Sequence, residues 1–286
     1  MYNSRTADLH AHTTASDGDL SPTRLVELAH SIGLTALAIT DHDTTAGIAE
    51  AQIAGERLGI EIVPGIELSA DIDRGQCHLL GLFIDPQNTL MQHRLLDIVQ
   101  KREARNSRII ALMNADGVDI TLEEAKEVAG GEIIARPHFA RLLIQKGRVE
   151  TMAEAFDHYL ARGGGYYVER ERIGQAEAIQ LIHGAGGVAI LAHPNNLKLS
   201  VEETEKAILS LQEKGLDGIE ARYNLHTPSD NARYLALAEK HGLLTSGGSD
   251  FHGLSVKPNV FLGHVEFSAT PLSVLEALRE KHRSRG

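Results

Sequence analysis

Short apolar runs alternating with amphipathic segments restrict what this chain can fold into more than any other feature. The runs are "LTALAIT" (34–40), "IEIVPGIELSA" (60–70), "HLLGLFI" (78–84), "GVAILAH" (187–193), "LDGIEAR" (216–222) and "LLTSGGSD" (243–250). Bounded apolar stretches of this length predict buried strands. Most are separated by helical segments such as "SPTRLVELAHSIG", "VEETEKAILSLQEKG" and "SDNARYLALAEKHG". These open on Ser-Pro or acidic turns and close at Gly33, Gly215 and Gly242, as N-caps and C-terminal glycines require. Such alternation predicts parallel strands with helical crossovers. Polar residues gathered at strand ends favour a barrel over an open sheet. No Gly-rich phosphate loop of the dinucleotide or nucleoside-triphosphate kind is present.

Between about 86 and 180 the alternation stops, and four helical segments follow one another without a clear strand. The expected organisation is therefore an α/β barrel from 1–85 and 181–286, carrying a helical insertion subdomain over 86–180. The insertion has 13 Lys and Arg against 14 Asp and Glu, whereas the rest has 15 against 25. An anionic substrate would thus find its cationic partners mainly on the insertion. The net charge of −11 argues against a long nonspecific track on nucleic acid but leaves room for a small anion. The single cysteine, Cys77, excludes an internal disulfide framework and a thiolate-rich zinc site. Any metal must be held by nitrogen and oxygen. No apolar run reaches the ~18 residues of a membrane span, and the N-terminus has no basic region leading into an apolar stretch. These features predict a cytoplasmic protein without membrane contact, and nothing marks an obligate protein partner.

The stretch "ADLHAHTTASDGDLSP" (7–22) places His10 and His12 on one face of a first strand, with Asp17 in the loop behind it. "ITDHD" ends the next strand with Asp41, His42 and Asp43, "GIELS" ends the third with Glu67, and "QCHLLG" begins another with His78. "LAHP" contributes His193, and "GGSDFHG" contributes Asp250 and His252. Taken singly, a histidine is more often a surface or core residue than a ligand, and an aspartate in a loop is usually a cap or turn former. His30 and His241 fit helix C-termini, while His93, His158, His183, His226, His264 and His282 lack a strand-end setting. Separate strands nevertheless each deliver a nitrogen or oxygen ligand, and in a barrel these collect at one mouth. The pattern points to a metal site.

The motifs "DLHAHTTASDG", "ITDHD", "PGIELS", "LAHP" and "GGSDFHG" resemble, in order, those of the PHP (polymerase and histidinol phosphatase) superfamily, over residues 8 to 253. That resemblance implies a distorted (β/α)7 barrel with two or three divalent metal ions at its mouth. It implies that His10, His12, Glu67 and Asp250 hold the first ion and that Glu67 bridges to a second held by His78 and His193. Asp17, His42 and His252 would form a third position or, if it stays empty, act as catalytic groups that bind and protonate the substrate phosphate. Imidazole and carboxylate donors without sulfur suit manganese, iron or zinc, with manganese expected first. Two metals about 3.5–4 Å apart would acidify water and neutralise charge on the phosphate.

The helical middle with "ARPHFA" resembles the subgroup acting on nucleoside 3′,5′-bisphosphates and short oligonucleotide ends. Arg136 and His138 open a helix at Pro137, either as surface entry residues or as a clamp for a second phosphate. "KREARNSR" (101–108) reads as a solvated helix face or as a guide for a longer nucleic-acid end, and Tyr166 and Tyr167 as core packing or a stacking platform for a base. The expected reaction is metal-dependent removal of the 3′-phosphate from a nucleoside 3′,5′-bisphosphate. The alternatives are a 5′-to-3′ exonuclease on short RNA or DNA ends, a histidinol phosphatase, and a metal-binding regulatory module without turnover.

Overall fold

A computed structural model describes residues 6–129, 134–169, 172–263 and 270–285. His264 lies outside them. Two compact units partition the chain: residues 1–95 with 172–286, and residues 96–171.

The larger unit is built on eight strands: β1 (Thr6–Asp8), β2 (Ala36–Ile39), β3 (Glu61–Ala70), β4 (Cys77–Leu82), β5 (Val188–Leu191), β6 (Gly218–Tyr223), β7 (Leu244–Gly248) and β8 (Thr270–Pro271). Strands β1 to β7 stand in sequence order, and β8 adds a two-residue antiparallel edge to β1. Beyond β1 the chain stays extended and meets the end of β7, where the Leu9 N–H donates to Gly247 O at 3.1 Å and the Asp250 N–H to His10 O at 2.8 Å. Seven strands therefore close on themselves, as the motifs imply. The crossovers and outer helices are α1 (Pro22–Ser31), α2 (Ile48–Leu58), α7 (Gln175–Gly184), α8 (Val201–Glu213), α9 (Pro228–His241) and α10 (Leu272–Arg283). Ser21, Ser200 and Thr227 cap α1, α8 and α9 through their side chains. Gly33, Gly215 and Gly242 follow these helices at positive φ.

Two expectations need correction. The ladder of β1 stops at Asp8, so His10 and His12 sit on extended chain just past it. Strand β4 is not parallel to its neighbours but antiparallel to both β3 and β5. The 71–76 link between β3 and β4 has no helix to carry the chain back across the barrel, so only a hairpin can form. That reversal brings the start of β4 to the end of β3, with Ser69 opposite His78. His78 reaches the barrel mouth because its strand runs backwards.

Alternation along the strands sets the layers. Ala36, Ala38, Val63, Leu80, Leu82, Val188 and Ile190 pack in one buried cluster with Leu275 and Leu278 of α10. On the same faces, at the period of two, Glu67 follows Val63 on β3 and His78 precedes Leu80 on β4. Apolar filling thus ends where the polar layer begins.

The smaller unit has its own core. Helix α3 (Thr89–Ala115) enters it, followed by α4 (Leu122–Ala129), α5 (Arg136–Gln145) and α6 (Met152–Ala155) with a π-helical turn at Phe156–Leu160. Ile109, Met113, Phe139, Leu143, Leu160 and Tyr166 bury one another there. Tyr166 is core, stacked on Tyr159 and donating its hydroxyl to Asp116 at 2.6 Å. The "KREARNSR" segment is not a wholly solvated face, because Arg102, Arg105 and Asn106 are buried. The polar groups of two of them are matched internally: Arg105 donates to Asn106 Oδ1 at 2.6 Å, and Asn106 Nδ2 donates to Ile134 O at 3.2 Å.

At the base of the barrel Asp217 ties α10 to the sheet. Its carboxylate accepts the Ala189 N–H at 2.8 Å, lies 2.9 Å from His183 Nε2, and pairs with Lys281 and Arg285. Burial opposes its ionisation, yet His183, the Ala189 N–H and Arg285 hold its carboxyl below the ordinary value. The depressed value makes this tether a stability contribution at neutral pH that is lost as acid protonates the group. Asp217→Asn should cost about 1.5–3 kcal/mol at pH 7. Thermal melts should show the gap from wild type closing as pH falls below the ordinary value of 3.8; a gap independent of pH would refute the tether.

Candidate metal centre

The site residues are held by backbone polar groups and by close packing before any of them meets another. The Asp8 carboxylate accepts N–H groups from His10 at 3.2 Å, Ser249 at 2.9 Å and Gly263 at 2.8 Å, locking the first segment to the loop after β7. Gly248 must be glycine, since a Cβ there would lie 2.4 Å from the Cβ of His10. Asp41 organises the 13–16 turn, accepting the Thr13 N–H at 2.8 Å and the hydroxyls of Thr13 at 2.8 Å and Ser16 at 2.6 Å. Asp41 is thus a scaffold for its neighbour His42. His193 and Asp250 have positive φ, 28° and 56°. For non-glycine residues such backbone costs on the order of 1–3 kcal/mol and persists where its surroundings over-determine it.

All nine histidines and carboxylates singled out by the sequence converge in the larger unit. Glu67, fully buried, is the hub. Its Oε2 lies 3.4 Å from His10 Nε2, 3.2 Å from His12 Nε2 and 3.0 Å from His42 Nδ1. Its Oε1 lies 3.0 Å from His78 Nδ1 and 2.9 Å from His193 Nε2. Asp250 Oδ1 completes the first set, 3.5 Å from His10 Nε2 and 3.3 Å from His12 Nε2. Asp17 stands apart, 3.4 Å from His252 Nε2 and 3.9 Å from His42 Nε2. Three overlapping groups could each hold an ion: His10, His12, Glu67 and Asp250; His42, Glu67 and His78; and His12, Asp17, His42 and His252.

The donor set fits divalent ions on two counts. First, His10 Nε2, His12 Nε2, His42 Nδ1 and Glu67 Oε2 are buried without a hydrogen-bond partner. Orphaned polar atoms of this kind are costly, and a cation shared among them removes the cost. Second, the 3.2–3.5 Å spacings around Glu67 Oε2, His10, His12 and Asp250 equal the edge of a coordination tetrahedron. Bonds of about 2.0–2.1 Å give edges of about 3.3–3.4 Å. His78 and His193 contact Oε1 at hydrogen-bond distance, and the same nitrogens would serve a cation held there.

Ring orientation is preset for two of the candidate ligands. His10 Nδ1 is 2.9 Å from Glu220 Oε1, and His252 Nδ1 is 2.9 Å from the Asp250 carbonyl oxygen. Both contacts engage an Nδ1 proton, so Nε2 is the nitrogen each ring would turn to a cation. Burial is the largest single influence on each of these groups, but the charges around them decide several of the outcomes. It resists ionisation of Glu67, yet His42, His10 and His78 hold the carboxyl well below its usual range. Asp250 is likewise held low against burial by Lys257 and His10, and Asp17 by His42 and His252. Burial lowers His42 to about 4 and His252 to about 3, so both are neutral and can act as ligands. His12 is raised to about 9, because Asp250 and Glu67 outweigh its burial.

Three participants escaped the sequence reading. Glu220, inside the run "LDGIEAR", is fully buried; a carboxylate in an otherwise apolar strand is a signal in itself, since it must have a partner. The Tyr223 hydroxyl donates to Asp250 Oδ2 at 2.9 Å, and Lys257 Nζ donates to the same oxygen at 2.7 Å. In the smaller unit, His138 Nδ1 accepts the Ala135 N–H at 3.0 Å, serving α5 as a cap. Arg136 donates to Leu160 O at 3.3 Å and lies 5.9 Å over the Tyr167 ring.

A buried knot of imidazoles and carboxylates at the mouth of an α/β barrel is the layout of a metal-dependent enzyme. Comparison with known proteins makes the class specific. The PHP domain model matches residues 8–172. The chain is 38% identical over 247 residues to the 5′-3′ exoribonuclease Rnm of Escherichia coli, covering 86% of this chain and 84% of that protein. It is 37% identical over 246 residues to the 3′,5′-nucleoside bisphosphate phosphatase of Chromobacterium violaceum, covering 86% of each. A solved structure from Bifidobacterium adolescentis, assigned as a metal-dependent phosphoesterase, superposes with a TM-score of 0.80 at 32% identity, covering 99% of this chain and 97% of that one. The chain belongs to the PHP domain family. It is a metal-dependent phosphoesterase.

Because Glu67 faces two sets of nitrogens, Glu67→Gln should release bound metal and lower phosphoesterase activity by at least about 100-fold together. Metal analysis beside turnover checks this. Full activity at wild-type metal content would defeat the hub assignment.

Proposed function

We propose that this enzyme hydrolyses the phosphate ester at O3′ of a 5′-phosphorylated nucleoside, with the nucleoside 3′,5′-bisphosphate as its preferred substrate. The observation that carries the proposal is the buried carboxylate of Glu67, facing His10, His12 and His42 with one oxygen and His78 and His193 with the other. In this reading His10, His12, Glu67 and Asp250 hold one ion, Glu67, His78 and His193 a second, and Asp17, His42 and His252 a third. Manganese suits these donors, with iron and zinc as alternatives. Bound ions supply Lewis acidity toward the phosphate oxygens and acidify water.

The chain's own groups do the rest. Glu67 fixes the separation of the two nitrogen sets. His252, neutral and with its Nδ1 proton engaged, offers a lone pair rather than a proton, so a ligand role suits it better than protonation of the leaving oxygen. Lys257 brings a cation beside Asp250, and its side chain is about a third exposed (32%), so it can turn to an incoming phosphate. Arg136, with His138 beside it in sequence, is the proposed holder of the phosphate that the metals do not take; a guanidinium matches phosphate oxygens with paired donors.

Bisphosphate phosphatase and 5′-to-3′ exoribonuclease are one reaction at different lengths. Both release the O3′ of a nucleotide bearing a 5′-phosphate, and they differ only in whether the O3′ phosphorus carries a further chain. The second reading, trimming of short RNA ends, is favoured by the similarity to the exoribonuclease. The net charge of −11 favours short substrates over long ones.

Phosphate release from adenosine 3′,5′-bisphosphate, compared with histidinol phosphate and a 5′-phosphorylated trinucleotide, tests the substrate. AMP should be the favoured product; faster mononucleotide release from the trinucleotide would reverse the order, and preference for histidinol phosphate would end the proposal. Arg136→Ala should keep the metals and weaken bisphosphate binding about 10-fold or more, with little change for an aryl phosphate. Equal losses on both would remove Arg136 from the second phosphate.

A further inference from the structure

We infer that Glu220 is the positioning residue that holds the two nitrogen sets about Glu67 in register, by fixing the tautomer of His10 and the backbone of His193 with one carboxylate. Glu220 lies on β6 at 0% exposure. Its Oε1 is 2.9 Å from His10 Nδ1, and its Oε2 accepts the His193 N–H at 2.7 Å. His10 belongs to the first group around Glu67 Oε2, and His193 reaches Glu67 Oε1. One inner carboxylate thus joins the two nitrogen sets directly, and a second joins them from behind.

The chemistry follows from counting donors. A carboxylate has only acceptors, so His10 must carry its proton on Nδ1, and Nε2 is left with the lone pair that a cation needs. The amide of His193 cannot change its donor, and that residue sits at φ 28°, a conformation that needs a fixed partner. Glu220 also lies where β6 shifts register against β7, between Glu220 and Arg222. Such an irregularity re-aims side chains at the end of a strand.

Glu220→Gln isolates the effect because it preserves volume. A carboxamide offers one oxygen and one NH2. The His193 N–H claims the oxygen, the NH2 then faces His10 Nδ1, and the His10 proton moves to Nε2, where it blocks coordination. The inference rests on His10 being a metal ligand, so wild type, Glu220→Gln and Glu67→Gln are titrated side by side. The full-length, metal-stripped proteins are titrated with Co2+ and followed by visible absorption and calorimetry.

Glu220→Gln should bind its tightest Co2+ about 10–100-fold more weakly, with a changed visible spectrum, while the metal-free protein melts close to wild type. Wild-type affinity and spectrum in Glu220→Gln, with binding lost in Glu67→Gln, would overturn the Glu220 role alone. Unchanged binding in both variants would overturn the metal-centre reading itself. A lower melting temperature with an unchanged spectrum would make Glu220 merely structural. Should Glu220→Gln fail to fold, imidazole nitrogen NMR of the Zn2+-loaded wild type, with His10→Asn for assignment, reads directly which nitrogen keeps its proton. A protonated Nδ1 on His10 supports the inference; a protonated Nε2 contradicts it.

Discussion

The buried carboxylate of Glu67 is the interaction on which the rest of the centre depends. It is fully removed from water and meets five imidazoles within 3.4 Å. An isolated carboxylate in that position would cost several kcal/mol. The fold offsets the cost by surrounding it with groups that favour the charged form. Imidazole nitrogens alone do not complete the arrangement, since several are left facing one another without a partner. A cation is the one kind of group that satisfies nitrogens and carboxylate oxygens together.

The scaffold explains why so many donors can be brought to one place. Alternating side chains fill the barrel with Ala, Val, Leu and Ile up to one level, and the polar layer starts there. Closure between the segment after β1 and the end of β7 places His10 and Asp250 side by side. The strained backbone of His193 and Asp250 is maintained by hydrogen bonds that leave little alternative: the His193 N–H goes to Glu220, and the Asp250 N–H goes to His10 O. Fold stability is thus spent on geometry at the mouth, a common exchange at functional sites.

Much of this was legible in the sequence because it is periodic or local. Apolar runs located β2, β3, β5, β6 and β7, and glycine positions marked the helix ends. The candidate ligand set was legible because most of its members fall at or just past strand ends. What escaped depends on the third dimension. The reversal of β4 follows from a short link without a helix, and it alone explains how His78, at a strand start, joins groups at strand ends. Arg105 carries a charge that suggests solvent, but side-chain and backbone acceptors within the smaller unit permit its burial. Glu220 is one carboxylate in an apolar run, and its two partners lie 210 and 27 residues away.

Anomalous diffraction from crystals of the manganese-loaded protein, collected at the metal absorption edge, tests the central claim most directly. The account predicts a strong peak on each side of the Glu67 carboxylate, one within bonding distance of His10, His12 and Asp250 and the other beside His78 and His193. Peaks confined to other parts of the molecule, or a Glu67 carboxylate that touches no metal, would contradict it.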